Sequence, residues 1–239
     1  MEFKEFSNKI DQWDQKIILK YNGLGGKSIT VILRIISFLG RETLWLLLIA
    51  FYLFIWYDPF LLAYISGIFL TGLILILAIK QIVKRKRPFE RFKNDKITVL
   101  ERMPSSRSFP SWHSYNVMAQ GLLFGIFFLN SLLVTILIVI IAIIVSFSRI
   151  QLGVHYPSDV IFGCIFGIIG FLITIFITSP LILQILRFFE RIMEFEIQYR
   201  QINSMIFKNI GYFLLIFSIL LTIFLLAINK KIKERFKKK

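Results

Sequence analysis

The sequence predicts an all-α integral membrane protein, a six-helix bundle with an N-terminal amphipathic interfacial helix. Three observations predict it. Hydrophobic residues make up 56% of the 239 residues and charged residues 18%, with a mean hydropathy of +0.73 and 26 phenylalanines. A soluble domain of this length cannot hide that much apolar surface. The apolar residues come in blocks that only helices can carry through lipid with every backbone group satisfied, and ten-residue alternating strands are absent. Between the blocks lie loops rich in Lys and Arg, 29 against 14 Asp and Glu, for a net charge of +15. That excess suits loops that meet anionic headgroups. The basic residues flank apolar spans, so nucleic acid is not a predicted partner. The one cysteine, Cys164, lies in an apolar run, which excludes an internal disulfide and a cysteine-based metal site. The first twenty residues have no apolar h-region, so no signal peptide is expected.

The elements follow in order. Phe3, Phe6, Ile10, Trp13 and Ile17 recur at spacings of three and four and form one apolar stripe of a helix, which predicts a helix lying on the membrane. Asn22-Gly23-Leu24-Gly25-Gly26 breaks the pattern, and a partly apolar piece from Ile29 to Leu39 ends at Gly40-Arg41-Glu42. Thr43–Tyr57 is the first expected span and Phe60–Ile79 the second, with Asp58-Pro59 between them. Tyr115–Asn130 and Leu132–Phe147 are too long together for one crossing and predict a helical hairpin turning at Asn130-Ser131. Val160–Thr178 is the fifth span, expected to end at Ser179-Pro180. Residues 181–206 mix Arg187, Glu190, Arg191, Glu194 and Glu196 with apolar residues and predict an interfacial connection. Tyr212–Asn229 is the sixth span, and Lys230–Lys239 a solvated basic tail. The expected organisation is therefore N-terminal interfacial helices over 1–40, a catalytic five-span bundle over 41–180, and the connection, sixth span and tail over 181–239. With six crossings, the loops 81–113 and 148–157 fall on the same side of the membrane.

Those two loops hold both histidines of the chain, His113 and His155. Each stands where a loop enters a span. In Gly153-Val154-His155-Tyr156-Pro157-Ser158-Asp159, Pro157 suits the first turn of a helix, where its missing N–H costs nothing. Asp159 is about one turn beyond His155 and can accept from one ring nitrogen. That fixes the tautomer and leaves the other nitrogen free to attack. Around His113, Ser108-Phe109-Pro110-Ser111-Trp112-His113-Ser114 also begins a helix. Its first N–H groups lack intrahelical partners and welcome an anion, and the Ser111 hydroxyl is either one more donor or a plain cap. Span two ends in Lys80-Gln81-Ile82-Val83-Lys84-Arg85-Lys86-Arg87-Pro88. Such a cluster usually meets headgroups. Lys80 and Arg87, however, are two helical turns apart, and Arg149 enters from the other loop. Two guanidinium forks, an ammonium, a hydroxyl and backbone N–H groups suit a phosphoryl group, whose charge spreads over three oxygens.

These residues resemble a known family. Lys-x6-Arg-Pro (Lys80, Arg87, Pro88), Pro-Ser-x-His (Pro110, Ser111, His113) and Ser-Arg-x5-His-x3-Asp (Ser148, Arg149, His155, Asp159) are similar to the three-part signature of the type 2 phosphatidic acid phosphatases, membrane lipid phosphate phosphatases. The resemblance covers about residues 10–180. It implies that His155 is the nucleophile and forms a phosphohistidine, that Asp159 orients it, and that His113 protonates the leaving oxygen. It implies that Lys80, Arg87, Ser111 and Arg149 hold the phosphate oxygens. The family uses no metal or other cofactor. One departure is Trp112, where the family usually has Gly. Trp keeps the backbone N–H that approaches phosphate and adds a large ring.

The implied partners are a lipid phosphate substrate and membrane lipids. A phosphotransferase would use the same motifs. A channel should show ionisable residues inside its spans, which spans two, four, five and six lack between their ends. A non-catalytic scaffold would have no use for two histidines beside an anion clamp. Orientation carries a conflict. The side with both motif loops and the tail holds most of the Lys and Arg, whereas the other holds Arg187, Arg191, Arg200 and Lys208, so the positive-inside rule puts the site in the cytosol. The resemblance implies a bacterial inner membrane with the site on its periplasmic face.

Overall fold

The computed structural model describes residues 2–92, 97–101, 103–193, 197 and 199–236. Glu194, Glu196 and Lys237–Lys239 lie outside the described residues, as do the side chains of Phe3 and of the expected tail. The described residues are almost entirely helical, and their only strand-like pairing is an antiparallel bridge between Trp56 and Ile202.

Helix α1 is Glu2–Tyr21 and α2 is Gly26–Ile36, which tightens into a 3₁₀ turn at Ser37–Gly40. Gly25 caps α2 at φ +83°, a left-handed conformation that glycine adopts without strain. Helix α3, Glu42–Ala50, continues through a π turn, Phe51–Ile55. Asp58 then starts α4, Pro59–Val83, by accepting from the N–H groups of Phe60 and Leu61 at 2.9 and 3.0 Å. A short α5, Pro88–Arg91, follows. Helix α6, Trp112–Leu122, widens into a π turn at Leu123–Phe128, and α7 is Leu132–Gln151. The expected hairpin is found between them. Asn130 takes φ +43° and Ser131 caps α7, accepting from Val134 N–H. Helix α8 is Pro157–Ile173, α9 Ser179–Ile192, α10 Met205–Lys208 and α11 Ile210–Phe236.

Two boundaries differ from expectation. The fifth apolar run does not stop at Ser179-Pro180. A π turn, Thr174–Thr178, joins α8 to α9, and the helix runs on to Ile192. Proline breaks a regular helix because it lacks an N–H and crowds the carbonyl one turn back, and the change of register just before Pro180 relieves both problems. The expected tail begins inside α11, which extends through Phe236.

Among the described residues, three helices are long and apolar enough to cross a bilayer by length and composition: Pro59–Arg91, Leu132–Gln151 and Pro157–Ile192. A fourth is reached if the pair Glu5–Tyr21 and Gly26–Gly40, bent by 118°, counts as one. Glu42–Ile55 and Ile210–Leu226 are shorter apolar helices.

The chain forms two compact units. The first is Met1–Arg41 with Gly72–Phe171, and the second Glu42–Thr71 with Leu172–Lys239. In the first, α6 packs closely on α8 because glycine faces it. A Cβ on Gly163 would stand 2.6 Å from the Ser111 carbonyl oxygen, and one on Gly167 2.8 Å from Met118 Cβ. Tyr115 fills the space left by Gly72 and Gly170, where a Cβ would come within 2.1 and 2.4 Å of its ring and hydroxyl. In the second, Arg200 Nε donates to Asp58 at 2.7 Å, Tyr57 donates to Glu190 at 2.7 Å, and Thr71 and Thr178 share a hydrogen bond of 2.9 Å.

Candidate active site

All eight candidate residues lie in the first unit. His155 sits in the turn between α7 and α8 and is buried. Asp159, in the first turn of α8, places Oδ2 3.4 Å from His155 Nδ1. Arg87 Nη1 stands 3.1 Å from His155 Nε2. A guanidinium can only donate, so Nε2 must accept and the ring proton belongs on Nδ1, facing the carboxylate. Burial, then the charges of Arg87, Lys80 and Arg149, hold His155 well below its ordinary pKa of 6.5. The ring is neutral at pH 7, with the lone pair of Nε2 turned to the arginine.

Asp159 has no exposed surface, and its oxygens are saturated. Oδ2 also accepts from Tyr156 N–H at 2.9 Å and from the Ser108 hydroxyl, and Oδ1 accepts from Arg85 at 2.8 Å. Such a set holds the carboxylate immobile. Arg87 is equally fixed. It donates to the carbonyls of Ser106 and Val154, each at 2.7 Å, and to Ser106 Oγ at 3.1 Å. Lys80 Nζ is buried and donates to the Arg107 carbonyl at 2.6 Å. The loop 103–111 thus holds both basic residues of the first motif through its carbonyls.

The second motif meets the third through the backbone, Ser111 N–H donating to the Asp159 carbonyl at 2.9 Å. The Ser111 hydroxyl caps α6, accepting from the backbone and side chain of Ser114 at 3.4 and 3.1 Å. A hydroxyl that accepts still has its proton to donate. His113 starts α6 against the 3₁₀ turn, where a Cβ on Gly40 would lie 2.8 Å from its Cβ and 2.9 Å from its carbonyl oxygen. It lies in electrostatic range of Arg149 and His155. Its Nε2 is buried and without a partner. Trp112 stacks on Tyr115 with ring centroids 5.8 Å apart.

Arg149 does not reach His155. Its Nη1 donates to Ser37 Oγ at 2.7 Å and to Glu101 at 2.9 Å, and Nη2 takes the other oxygen of Glu101. The fork expected to hold phosphate holds a carboxylate, while Nε is buried and unpartnered. Burial alone would raise the pKa of Glu101. The Arg149 fork, with Arg41 and Arg34 behind it, outweighs that and holds it below the ordinary carboxylate value.

Residues 59–182, about half the chain and the stretch with all eight candidates, match the family described as the PAP2 superfamily. The chain belongs to the PAP2 superfamily. Among PAP2 relatives, the decaprenylphosphoryl-5-phosphoribose phosphatase of Mycobacterium tuberculosis is 38% identical over 102 residues, 43% of this chain and 52% of its own length. The undecaprenyl-diphosphatase of Sulfolobus acidocaldarius is 34% identical over 105 residues, 41% of this chain and 46% of its own. The chain thus spans about half the length of the curated relatives it matches. A PAP2-type phosphatidylglycerolphosphate phosphatase from Bacillus subtilis superposes with a TM-score of 0.58 at 24% identity, over 79% of this chain and 90% of that one. LpxE of Aquifex aeolicus gives 0.56 at 21%, over 67% and 93%. At such identities the two structures establish a shared PAP2 membrane fold.

Sequence reasoning missed Asp14, Ser37, Gly40, Arg85, Glu101 and Ser108. Asp14 is buried and bonds the backbone N–H of Ser158 at 2.8 Å. Its place in an amphipathic helix reads as a solvated face. Arg85 stood in the basic cluster with nothing to set it apart from its neighbours. Gly40 and Glu101 act across 73 and 48 residues of chain, where spacing carries no signal.

Proposed function

We propose that this protein is a membrane phosphatase that removes a phosphate from a lipid phosphate or diphosphate through a phosphohistidine on His155. The observation that carries this reading is His155 itself, neutral, its Nδ1 beside Asp159 and its Nε2 against Arg87. As Arg87 Nη1 turns from Nε2 to a phosphoryl oxygen, the freed Nε2 lone pair attacks phosphorus in line, the P–O bond to the lipid breaks, and His113 gives a proton to the leaving oxygen. Water then attacks the phosphohistidine, giving up a proton to His113, and inorganic phosphate leaves. Lys80 and Arg87, the Ser111 hydroxyl, the N–H of Trp112 and Arg149 hold the phosphoryl oxygens as charge builds on them. The unpartnered Arg149 Nε is a donor such a ligand would satisfy.

The reaction uses no metal. Helices α3, α4, α6, α7, α8 and α11 make six crossings, with α1 lying on the membrane and turning the exposed Phe6 and Trp13 to lipid. The membrane is a bacterial inner membrane and the active side periplasmic, against the charge bias. The names of the relatives favour lipid phosphates as the substrate class.

The test is phosphate release by the detergent-purified protein across a panel of lipid phosphates. Activity should survive excess chelator and be blocked by vanadate, which mimics five-coordinate phosphorus. His155→Ala should lose several orders of magnitude, because uncatalysed phosphomonoester hydrolysis is among the slowest reactions known. Full turnover in His155→Ala would overturn the mechanism.

A further inference from the structure

Helix α1 is tied to the catalytic carboxylate by charge. Arg85 stands between two buried acids. Its Nη1 donates to Asp159 Oδ1 at 2.8 Å and to Ser158 Oγ at 2.7 Å, and its Nη2 donates to Asp14 Oδ2 at 2.6 Å. Both Asp14 and Asp159 have no exposed surface. Asp14 also accepts from the N–H and hydroxyl of Ser158, the residue before Asp159. The guanidinium lies over the Tyr156 ring, 4.2 Å from its centroid. Asp14 therefore touches the nucleophile's turn by two bonds to Ser158, and Asp159 through Arg85, from a helix outside residues 59–182, where the PAP2 match lies.

We propose that Asp14 is a positioning residue of the reaction, the outer member of a chain Asp14–Arg85–Asp159–His155 that sets how strongly Asp159 holds the imidazole. The inference rests on the reading of His155 as nucleophile. Its physics is charge sharing. Arg85 divides its positive charge between the hydrogen-bonded carboxylates of Asp14 and Asp159, with the more exposed Asp11 at 3.7 Å. Asp159 then keeps enough basicity to bind the Nδ1 proton and to stabilise the cation that forms when Nε2 takes the phosphoryl group. Without the Asp14 charge, Arg85 leans more on Asp159, its one remaining hydrogen-bonded carboxylate, so the imidazole is less firmly anchored and its cation less stable. The other charged and titratable groups facing His155 are Arg87, Lys80, Arg149 and His113. Four are basic, so each carboxylate charge here counts.

Asp14→Asn separates this role from a packing role. The amide oxygen can still accept from Ser158, whereas the amide NH₂ meets Arg85 donor to donor. We expect kcat on a lipid phosphate to fall about tenfold, the low end of the 10- to 100-fold that a direct supporting partner is worth, because Asp14 acts through Arg85 and Asp159, with KM within about twofold. The acid limb of the pH–rate profile should move to lower pH, since removing a negative charge makes His155 harder to protonate. Asp14→Glu should restore most of kcat. Arg85→Lys, which keeps the charge and loses the fork, should fall with Asp14→Asn.

A second readout needs no turnover. The chain has two histidines, so ¹⁵N-histidine spectra of the protein in detergent report the His155 tautomer and titration directly, with His113→Gln assigning the signals. Asp14→Asn should weaken the Nδ1–H signature and lower the titration midpoint. If kcat, the pH profile and the His155 signals all match wild type in folded Asp14→Asn, the proposal is overturned. If Asp14→Glu is as slow as Asp14→Asn, or KM takes the whole effect, positioning is also overturned. Should wild type hydrolyse no lipid phosphate, or His155→Ala stay active, the phosphatase reading falls instead, and the spectra still decide whether Asp14 sets the state of His155.

Discussion

The His155 corner is tied by polar bonds, whereas the His113 corner is fixed by backbone packed against backbone. Around His155, Asp159 accepts four donors, and Arg87 is pinned by loop carbonyls before it reaches the ring. Around His113, Gly40 leaves no room for a methyl group, while Nε2 has no partner at all. The difference fits the two roles proposed. A nucleophile needs one tautomer and one ring orientation, which the Asp159 contact at Nδ1 specifies, while Arg87 occupies the place at Nε2 that the phosphoryl group takes. A general acid must instead hand its proton to an oxygen that arrives with the substrate. Its ring has to be placed but left unbonded at the working nitrogen.

The comparison breaks most sharply at His113. His113→Ala should lower kcat/KM on a lipid monoester by about 10²–10⁴-fold, the range of a positioned acid. An aryl phosphate, whose leaving oxygen departs without help, should lose far less. Parallel assays on the two substrates decide it, and equal losses would take the acid role from His113.

A subtler break leaves the imidazole in place and shifts it. A Cβ on Gly40 would lie 3.0 Å from the Cα of His113 as well as against its Cβ and carbonyl oxygen, so backbone has to move. Gly40→Ala should cost about 1–3 kcal/mol of stability, as overpacking does. On a lipid monoester it should cost roughly 10- to 100-fold, since a misplacement of about 1 Å is worth the larger figure. The aryl phosphate should again be spared. A thermal melt separates the two effects. Loss of both activities in step would mean that Gly40 supports the unit as a whole and not the acid.

The same contrast explains what could be read from the chain. The helical class, the hairpin at Asn130-Ser131 and the three motif elements were legible, because each rests on neighbours within a turn or two: apolar blocks, a serine cap, a histidine four residues before its carboxylate. The packing of His113 on Gly40 was not, since nothing in Leu39-Gly40-Arg41 distinguishes a close approach from an ordinary loop glycine. Asp14 shares its helical face with the buried Ile18, whereas the stripe read from the sequence was Phe3, Phe6, Ile10, Trp13 and Ile17. Arg149 shows a further limit. Spacing identified a guanidinium at the right motif position, but a carboxylate 48 residues away, Glu101, holds its fork. The helix through Pro180 was misread because a π turn, which has no sequence signature, absorbs the proline.

Trp112, next to His113 in the first turn of α6, offers the finest test. Where the family usually has glycine, this chain puts an indole in the first turn of α6, stacked on Tyr115 at an interplanar angle of 29°. Tyr115 is itself buried and wedged against Gly72 and Gly170, so the indole rests on a fixed platform. A ring held that way acts as a rigid wall beside the backbone N–H groups that open α6. A rigid wall discriminates by size, as a floppy one does not. Trp112→Gly should therefore leave the fold intact and shift the ratio of kcat/KM between a small and a bulky lipid phosphate by about tenfold, the low end of what one pocket contact contributes. The mutation also removes the stack, so Tyr115 needs its own control. Tyr115→Phe keeps the platform and should leave the ratio unchanged. If Trp112→Gly alters both substrates by one factor, the indole only anchors the start of α6 and the wall is not a selector.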